Sequence, residues 1–248
     1  MINRIKKGVF IAGTDTHVGK TIFTALLFYA LKQKGIHAIT QKWIQTGDTS
    51  EESDIQKHGL FFQNEIGRYP KRLIKEQEPY RFKEPFSPHL AAQKNDITID
   101  KYRIINYFQT LHHQYEMVIV EGSGGVLVPF SESTCIIEIV KELHLPVIIV
   151  AENRVGAINH TLLTIETCRS RNIPIVGVVF NQRDKDIPFE VIEDNPKSVE
   201  AISNIPLFGT LPYCSDLKKL LYSFSPIAEK IIACLQGGVS VPQEAGGY

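Results

Sequence analysis

Residues Gly13 to Thr21 read GTDTHVGKT, set between the apolar run Gly8-Val9-Phe10-Ile11-Ala12 and a helical pattern that opens at Lys20. A glycine-bearing loop between a strand and a helix turns successive backbone N–H groups toward one point. It adds the positive end of a helix and sets a lysine within reach of β- and γ-phosphate oxygens. The chemistry this suits is the binding of a nucleoside triphosphate, with Lys20 as the phosphate-binding cation and the Thr21 hydroxyl on Mg2+. The usual pattern, G-x-x-x-x-G-K-[ST], asks for glycine at position 14; here that residue is Thr14, and Gly13 stands one place early. A strand-to-helix turn whose glycines only supply positive φ is the competing reading.

Moving a γ-phosphoryl group requires a divalent metal, one or two carboxylates to hold it, and cations around the equatorial oxygens. Glu121 closes the apolar run MVIVE and is followed by Gly122-Ser123-Gly124-Gly125, where backbone can approach a ligand closely. A carboxylate there is either a metal ligand at the tip of a buried strand or an ordinary strand-to-turn junction. Lys42 closes Ala38-Ile39-Thr40-Gln41 and would present its ammonium beside a transferring phosphate, although strand-end lysines also serve as plain surface residues. Asp54, after Ser53, reads on its own as an acid at the start of a helix.

The elements that must position these residues follow from hydrophobic periodicity. Near-continuous apolar, β-branched runs occur at 8–12, 37–43, 117–121, 146–152, 175–181 and 206–211, as strands buried on both faces require. Helical patterns lie between them at 20–34, 100–113, 134–143, 157–171 and 198–204. The pattern predicts an α/β fold: a single-domain sandwich of the P-loop NTPase type, with a mainly parallel central sheet and helices on both faces. Open sheets of this kind bind ligands outside the carboxyl ends of their strands, which is where Lys42, Glu121, Asn153 and Asn181 fall. The irregular stretch 59–86 reads as an excursion over the active face. Residues 1–236 read as one domain, and the glycine-rich end at 237–248 as a disordered tail.

Lys plus Arg and Asp plus Glu each total 27, so no long-range field attracts nucleic acid or anionic lipid, and small-molecule chemistry fits better. No run approaches the roughly 18 apolar residues of a spanning helix, which with the neutral charge predicts a cytoplasmic protein with neither membrane nor nucleic-acid partners. The four cysteines, Cys135, Cys168, Cys214 and Cys234, lack C-x-x-C or matching histidine spacing, so they read as buried thiols rather than zinc or redox sites. His112-His113 reads as surface.

Several blocks together resemble the dethiobiotin synthetase family: GTDTHVGKT, KWIQTG at 42–47, Ser53-Asp54, PYRFKEPFSPHLAA at 79–92, VEGSGGVLVP at 120–129 and RVGAINHTLLT at 154–164. The family's lengthened GTDTxxGKT loop accounts for the early Gly13. The resemblance implies an ATP- and Mg2+-dependent ligase of biotin biosynthesis that closes the ureido ring of dethiobiotin from 7,8-diaminononanoate and CO2. It implies that His17, Val18, Gly19, Lys20, Thr21 and Ile22 hold the triphosphate, that Thr21, Asp54 and Glu121 surround the metal, and that Lys42 is catalytic alongside Lys20. Thr46 would bond the substrate, while Glu121, Gly122, Ser123 and Gly124 would line the nucleotide. Asn181 and Gln182 would read the adenine edge, a carboxamide offering both donor and acceptor, and Leu211, Pro212 and Tyr213 would close over the base. The family is homodimeric, with substrate near the subunit interface, and the helix opening at Gly156-Ala157-Ile158-Asn159 either receives a carboxylate tail or is simply a helix start.

The chain departs from the family pattern at Trp43, where proline is usual, and at Ser123, where alanine is usual; Trp43 is placed to reshape the carbamate pocket. Two other readings share this sheet. A partitioning-type switch ATPase needs a signature lysine five residues before Lys20, where this chain has Asp15. An amidating ligase of the cobyrinate type needs a glutaminase domain, for which too few residues follow the last strand.

Overall fold

The computed structural model describes residues 8–47, 53–61 and 75–237. Six parallel strands form the central sheet in the order β2-β5-β1-β6-β7-β8, where β1 is Gly8–Gly13, β2 Ala38–Lys42, β5 Met117–Gly125, β6 Val147–Glu152, β7 Ile175–Asn181 and β8 Leu207–Leu211. A two-stranded parallel ladder, β3 (Ile44–Gln45) with β4 (Tyr80–Arg81), lies beside it. The chain leaves β1 toward β2 on one side and leaves β6 toward β7 on the other, so a crevice opens at the carboxyl tip of β1.

Alternate residues of each strand feed two separate cores. Phe10, Ala12, Val118 and Val120 face one apolar layer, and Val9, Ile11, Met117 and Ile119 face the other. The second layer is completed by α1 (Lys20–Gln33) and α8 (Leu217–Leu235) through Phe23, Leu27, Phe224 and Ile231. The first is completed by α3 (Pro88–Lys94), α4 (Lys101–Gln114), α5 (Ile136–Glu142), α6 (Ala157–Arg169) and α7 (Phe189–Ser203). Burial on both faces is why the strands read as unbroken apolar runs rather than as alternation.

The expected strands and central helices are present within a few residues of the positions predicted, and the differences have physical causes. Strand β5 does not stop at Glu121. It runs on through the glycines, and Gly125 pairs with Gly13 at the tip of β1. The helix expected at 198–204 begins at Phe189, because Pro196 reads as a breaker and yet lies inside it. Proline removes the N–H that the carbonyl four residues earlier would accept. That carbonyl, on Ile192, accepts instead from Asn153 Nδ2 at 2.9 Å, while Asn195 Nδ2 donates to Asn153 Oδ1 at 2.7 Å. Asn153 at the end of β6 is therefore a structural partner of α7. Helix α8 has the same disguise, with Pro226 in its interior, and is capped by Asp216. Of the excursion read at 59–86, residues 62–74 lie outside the described residues; so do residues 238–248 of the tail. Glu76 and Gln77 run along the edge of β2, with Lys42 N donating to Gln77 O at 2.8 Å and Gln41 Nε2 to Glu76 O at 2.8 Å.

Replacing the buried Asn153 by alanine leaves the half-buried Ile192 carbonyl without its donor, an expected cost of about 1–3 kcal/mol. It should appear as a lower urea midpoint at unchanged slope. In a Pro196→Ala background, which restores the backbone donor, the loss should shrink; an equal loss in both backgrounds would contradict this role.

Candidate active site

The phosphate loop spans the gap from Gly13 at the end of β1 to Lys20 at the start of α1. Lys20 folds back over the loop and donates to the Asp15 carbonyl at 2.9 Å. This explains the early glycine: a Cβ on residue 13 would meet Lys20 Nζ at 2.6 Å and Asp15 O at 2.7 Å. At the other end, Gly19 has φ +100°, and a Cβ there would lie 2.0 Å from Asn181 Nδ2. Two glycines at these places are therefore demanded by backbone conformation and close approach.

Lys42 and Glu121 are register partners on the neighbouring parallel strands β2 and β5, at their carboxyl ends. Helix α2 (Asp54–Leu60) brings the second carboxylate. Its start is fixed by a capping box in which Ser53 Oγ accepts from Gln56 N and Gln56 Oε1 accepts from Ser53 N at 2.7 Å. Lys42 Nζ then sits 2.8 Å from Asp54 Oδ2 and 2.7 Å from Glu121 Oε1. Thr21 Oγ1 donates to the same Glu121 oxygen at 3.0 Å, and Lys57 reaches the other Asp54 oxygen at 3.5 Å.

Burial and neighbouring charge set the ionisation of these groups. Burial alone would lower the Lys42 pKa, but Glu121 and Asp54 outweigh it and hold the ammonium above its ordinary value. Burial alone would raise Glu121, but Lys42 and His58 hold its carboxyl well below the usual carboxylate range. Lys20, buried and close to the Lys42 charge, is lowered to about 8. Two carboxylates thus keep Lys42 charged, while burial and the Lys42 charge make Lys20 easier to discharge.

These groups line a cavity of about 760 Å³. It gathers His17, Gly19, Lys20, Thr21, Ile22, Lys42, Thr46, Asp54, Glu121, Ser123 and Gly124 from among the residues expected by sequence. Its walls carry the cations Lys20, Lys42, Lys57 and Arg183 against the carboxylates Asp54 and Glu121, a positive balance suited to a polyphosphate. Pro85 and Phe86, from the described end of the excursion, form part of the wall. Thr21, Asp54 and Glu121 offer hydroxyl and carboxylate oxygens, the donors that Mg2+ takes along with phosphate oxygens and water. Among the described residues no cluster of three or more His, Cys, Asp or Glu is arranged to hold a metal by itself.

Other expected residues lie elsewhere. Val18 is buried and its carbonyl accepts from Asn181 Nδ2 at 2.9 Å, so Asn181 braces the phosphate loop here. Gly122 packs against Phe10. Gln182 N donates to Leu211 O at 2.9 Å, joining the tips of β7 and β8, with Leu211 in the core and Pro212 and Tyr213 exposed beside it. Trp43 is outside the cavity wall, contrary to its expected place in the carbamate pocket. Its ring packs 5.3 Å from that of Phe10, and its Nε1 donates to Gln41 Oε1 at 3.0 Å. The N-terminus of α6 does not line the cavity either. Sequence reading missed His58, whose Nε2 lies 2.7 Å from Glu121 Oε2, and Arg183, whose guanidinium donates to the His17 carbonyl. The spacing Asp54-x-x-x-His58, one turn on a capped helix, was the available signal for the first.

A family model described as "AAA domain" matches residues 7–220. Among solved structures, the chain is similar to the MinC:MinD cell division protein complex of Aquifex aeolicus (TM-score 0.56, 17% identity, 98% of this chain and 100% of that chain). It is similar too to cobyrinic acid a,c-diamide synthase from Mycobacterium smegmatis with bound ADP and magnesium (TM-score 0.56, 12% identity, 98% and 100%). At such identities these likenesses speak for the fold alone. Sequence relatives are much nearer. The ATP-dependent dethiobiotin synthetase of Halalkalibacterium halodurans is 35% identical over 88% of this chain and 89% of its own. That of Methanococcus vannielii is 33% identical over 86% and 98%, and that of Bacillus subtilis 31% identical over 86% and 90%. With nearly the whole of both chains matched, and a phosphate loop opening onto a lysine–carboxylate cluster, this chain belongs to the ATP-dependent dethiobiotin synthetase family.

Proposed function

We propose that this chain closes the ureido ring of dethiobiotin from 7,8-diaminononanoate, CO2 and ATP, and that the 760 Å³ cavity is where it does so. The observation that carries the reading is Lys42, a lysine held as an ammonium at the mouth of the phosphate loop, in the same cavity as Lys20 and Thr21. A group kept charged this firmly is a poor proton acceptor and a good fixed cation, so its role is electrostatic.

Three steps follow. One amine of the substrate adds to CO2, losing a proton and forming a carbamate whose negative oxygens face Lys42. A carbamate oxygen then attacks the γ-phosphorus, the bond to the β-phosphate oxygen breaks, and ADP leaves from a carbamic-phosphoric anhydride. The second amine attacks the carbamoyl carbon, the bond from that carbon to the phosphate oxygen breaks, and ring closure releases phosphate and one proton from the amine. Negative charge develops or moves on oxygen in each step, and Lys42 and Lys20 stand where preorganised cations lower its cost. Backbone N–H groups from His17 to Ile22 bind the triphosphate, and Thr46 bonds the substrate. Thr21, Asp54 and Glu121 would hold Mg2+, which when bound supplies charge neutralisation on the phosphate oxygens.

The base pocket in this reading is the tip of β7 and β8. Asn181, whose Nδ2 also donates to the Val18 carbonyl, and Gln182 would meet the adenine edge, with the exposed Pro212 and Tyr213 closing over it while the Leu211 side chain stays in the core; Ser123 and Gly124 would line the nucleotide, with Gly122 packed behind them on Phe10. We further read the protein as a homodimer of single-domain subunits (residues 1–236) whose substrate tail reaches the partner's α6. The support is indirect: Val155 and Leu163, on and just before that helix, are exposed apolar side chains. The described residues include no helix long and apolar enough to cross a membrane.

ADP release in a coupled assay should require the diamine, bicarbonate and Mg2+ together; equal hydrolysis without the diamine would contradict the assignment. A second outcome follows from Lys20. Its pKa of about 8 in the free protein rises when a triphosphate arrives, so binding must take up a proton above the free pKa and very little well below it. At pH 8 the uptake should be about half a proton per nucleotide, falling toward none near pH 6.5. Calorimetry in two buffers of different ionisation enthalpy measures it, and a buffer-independent heat at pH 8–8.5 would contradict the assignment of Lys20.

A further inference from the structure

His58 lies one helical turn beyond Asp54 on α2, so the two side chains leave the same side of the helix. Asp54 reaches Lys42. His58 is fully buried and does not line the cavity wall; it stands behind it, with Nε2 2.7 Å from Glu121 Oε2. Glu121 is thereby divided between two tasks. Its Oε1 accepts from Lys42 Nζ at 2.7 Å and from Thr21 Oγ1 at 3.0 Å, on the cavity side. Its Oε2 meets the imidazole of His58 on the other side. An ionised carboxylate has no proton to give, so the hydrogen in this contact belongs to His58 Nε2. Among the described residues Nδ1 has no hydrogen-bond partner, so nothing else there selects the tautomer.

We propose that His58 is a positioning residue: by donating from Nε2 to Glu121 Oε2 it fixes the terminal torsion of that carboxylate. Oε1 is then the oxygen offered to Lys42, Thr21 and the divalent cation of the bound nucleotide. The cation rests on the function proposed above; the hydrogen bond does not. A buried side chain that only filled space would be served as well by leucine, whereas this position holds a ring whose one engaged atom meets a carboxylate. Outer-shell donors to metal-ligating groups typically change metal affinity ten- to a hundredfold when lost.

The test uses the full chain and needs no diamine. Nitrogen-15 NMR of the nucleotide-free protein should find His58 with its ring proton on Nε2; a proton on Nδ1 alone would overturn the proposal. Calorimetry of ADP binding then gives the Mg2+ concentration at half-maximal binding. His58→Leu should raise it about ten- to a hundredfold, with ADP affinity in chelator unchanged. His58→Gln, which keeps an N–H at similar reach, should stay below the ten- to hundredfold range. An unchanged Mg2+ requirement in His58→Leu, or equal losses in both variants, would overturn it. Should His58→Leu fail to fold, the tautomer of the unaltered chain and the His58→Gln titration still decide. Loss of diamine-dependent turnover with these results intact would instead count against the function proposed above.

Discussion

A lysine ammonium buried between two carboxylates is the constraint on which the rest of this site depends. Taking Lys42 out of water costs several kcal/mol unless the charge is compensated at close range, and Asp54 and Glu121 compensate it at 2.8 and 2.7 Å. Neither contact is local in sequence. Glu121 arrives because β2 and β5 pair in parallel with residues 42 and 121 in register. Asp54 arrives because a capping box starts α2 at that residue. A shift of one residue in the β2–β5 register would turn each side chain to the opposite face of the sheet and strand a charge in an apolar layer. The apolar alternation on the two faces of β5 is therefore also what aims Glu121.

Burial and close charge together give the two lysines opposite characters. Lys42 has carboxylates on two sides and stays charged; Lys20, lowered first by burial and then by the Lys42 charge, donates to the Asp15 backbone carbonyl. One cation is thus stored in the fold, and the other is completed by the ligand. A triphosphate entering the cavity supplies a close anionic partner for Lys20, which favours its ammonium form in the complex. The loop that must yield to it is braced by Asn181 through Val18 and by Arg183 through His17, which links the phosphate cradle to the tip of β7.

Much of this was legible in the chain. The parallel sheet shows in unbroken β-branched runs, and the nucleotide loop in GTDTHVGKT, because a phosphate cradle is local: one loop and one helix start supply it. The positions of Lys42, Asp54 and Glu121 were suggested by strand ends and by family resemblance, but their convergence is a property of register and crossover that no window of sequence contains. The misreadings share a cause. Pro196 looks like a helix breaker, yet the carbonyl that it frees is served by Asn153 from another element. Trp43 looks like a pocket residue beside Lys42, yet successive strand-end side chains point to opposite faces, and the indole goes to Phe10 in the core. His58 went unread because its partner lies 63 positions away in the chain.

The account stands or falls on Lys42 acting as a fixed charge toward the transferring phosphoryl group. The most direct measurement is single-turnover ADP formation by Lys42→Met, which keeps an unbranched side chain one atom shorter and removes its charge, with nucleotide, Mg2+, diamine and bicarbonate all saturating. Loss of one preorganised transition-state donor predicts a rate lower by about 10²–10³-fold with nucleotide still bound. A variant that binds nucleotide and forms ADP within a few-fold of the parent rate would contradict it.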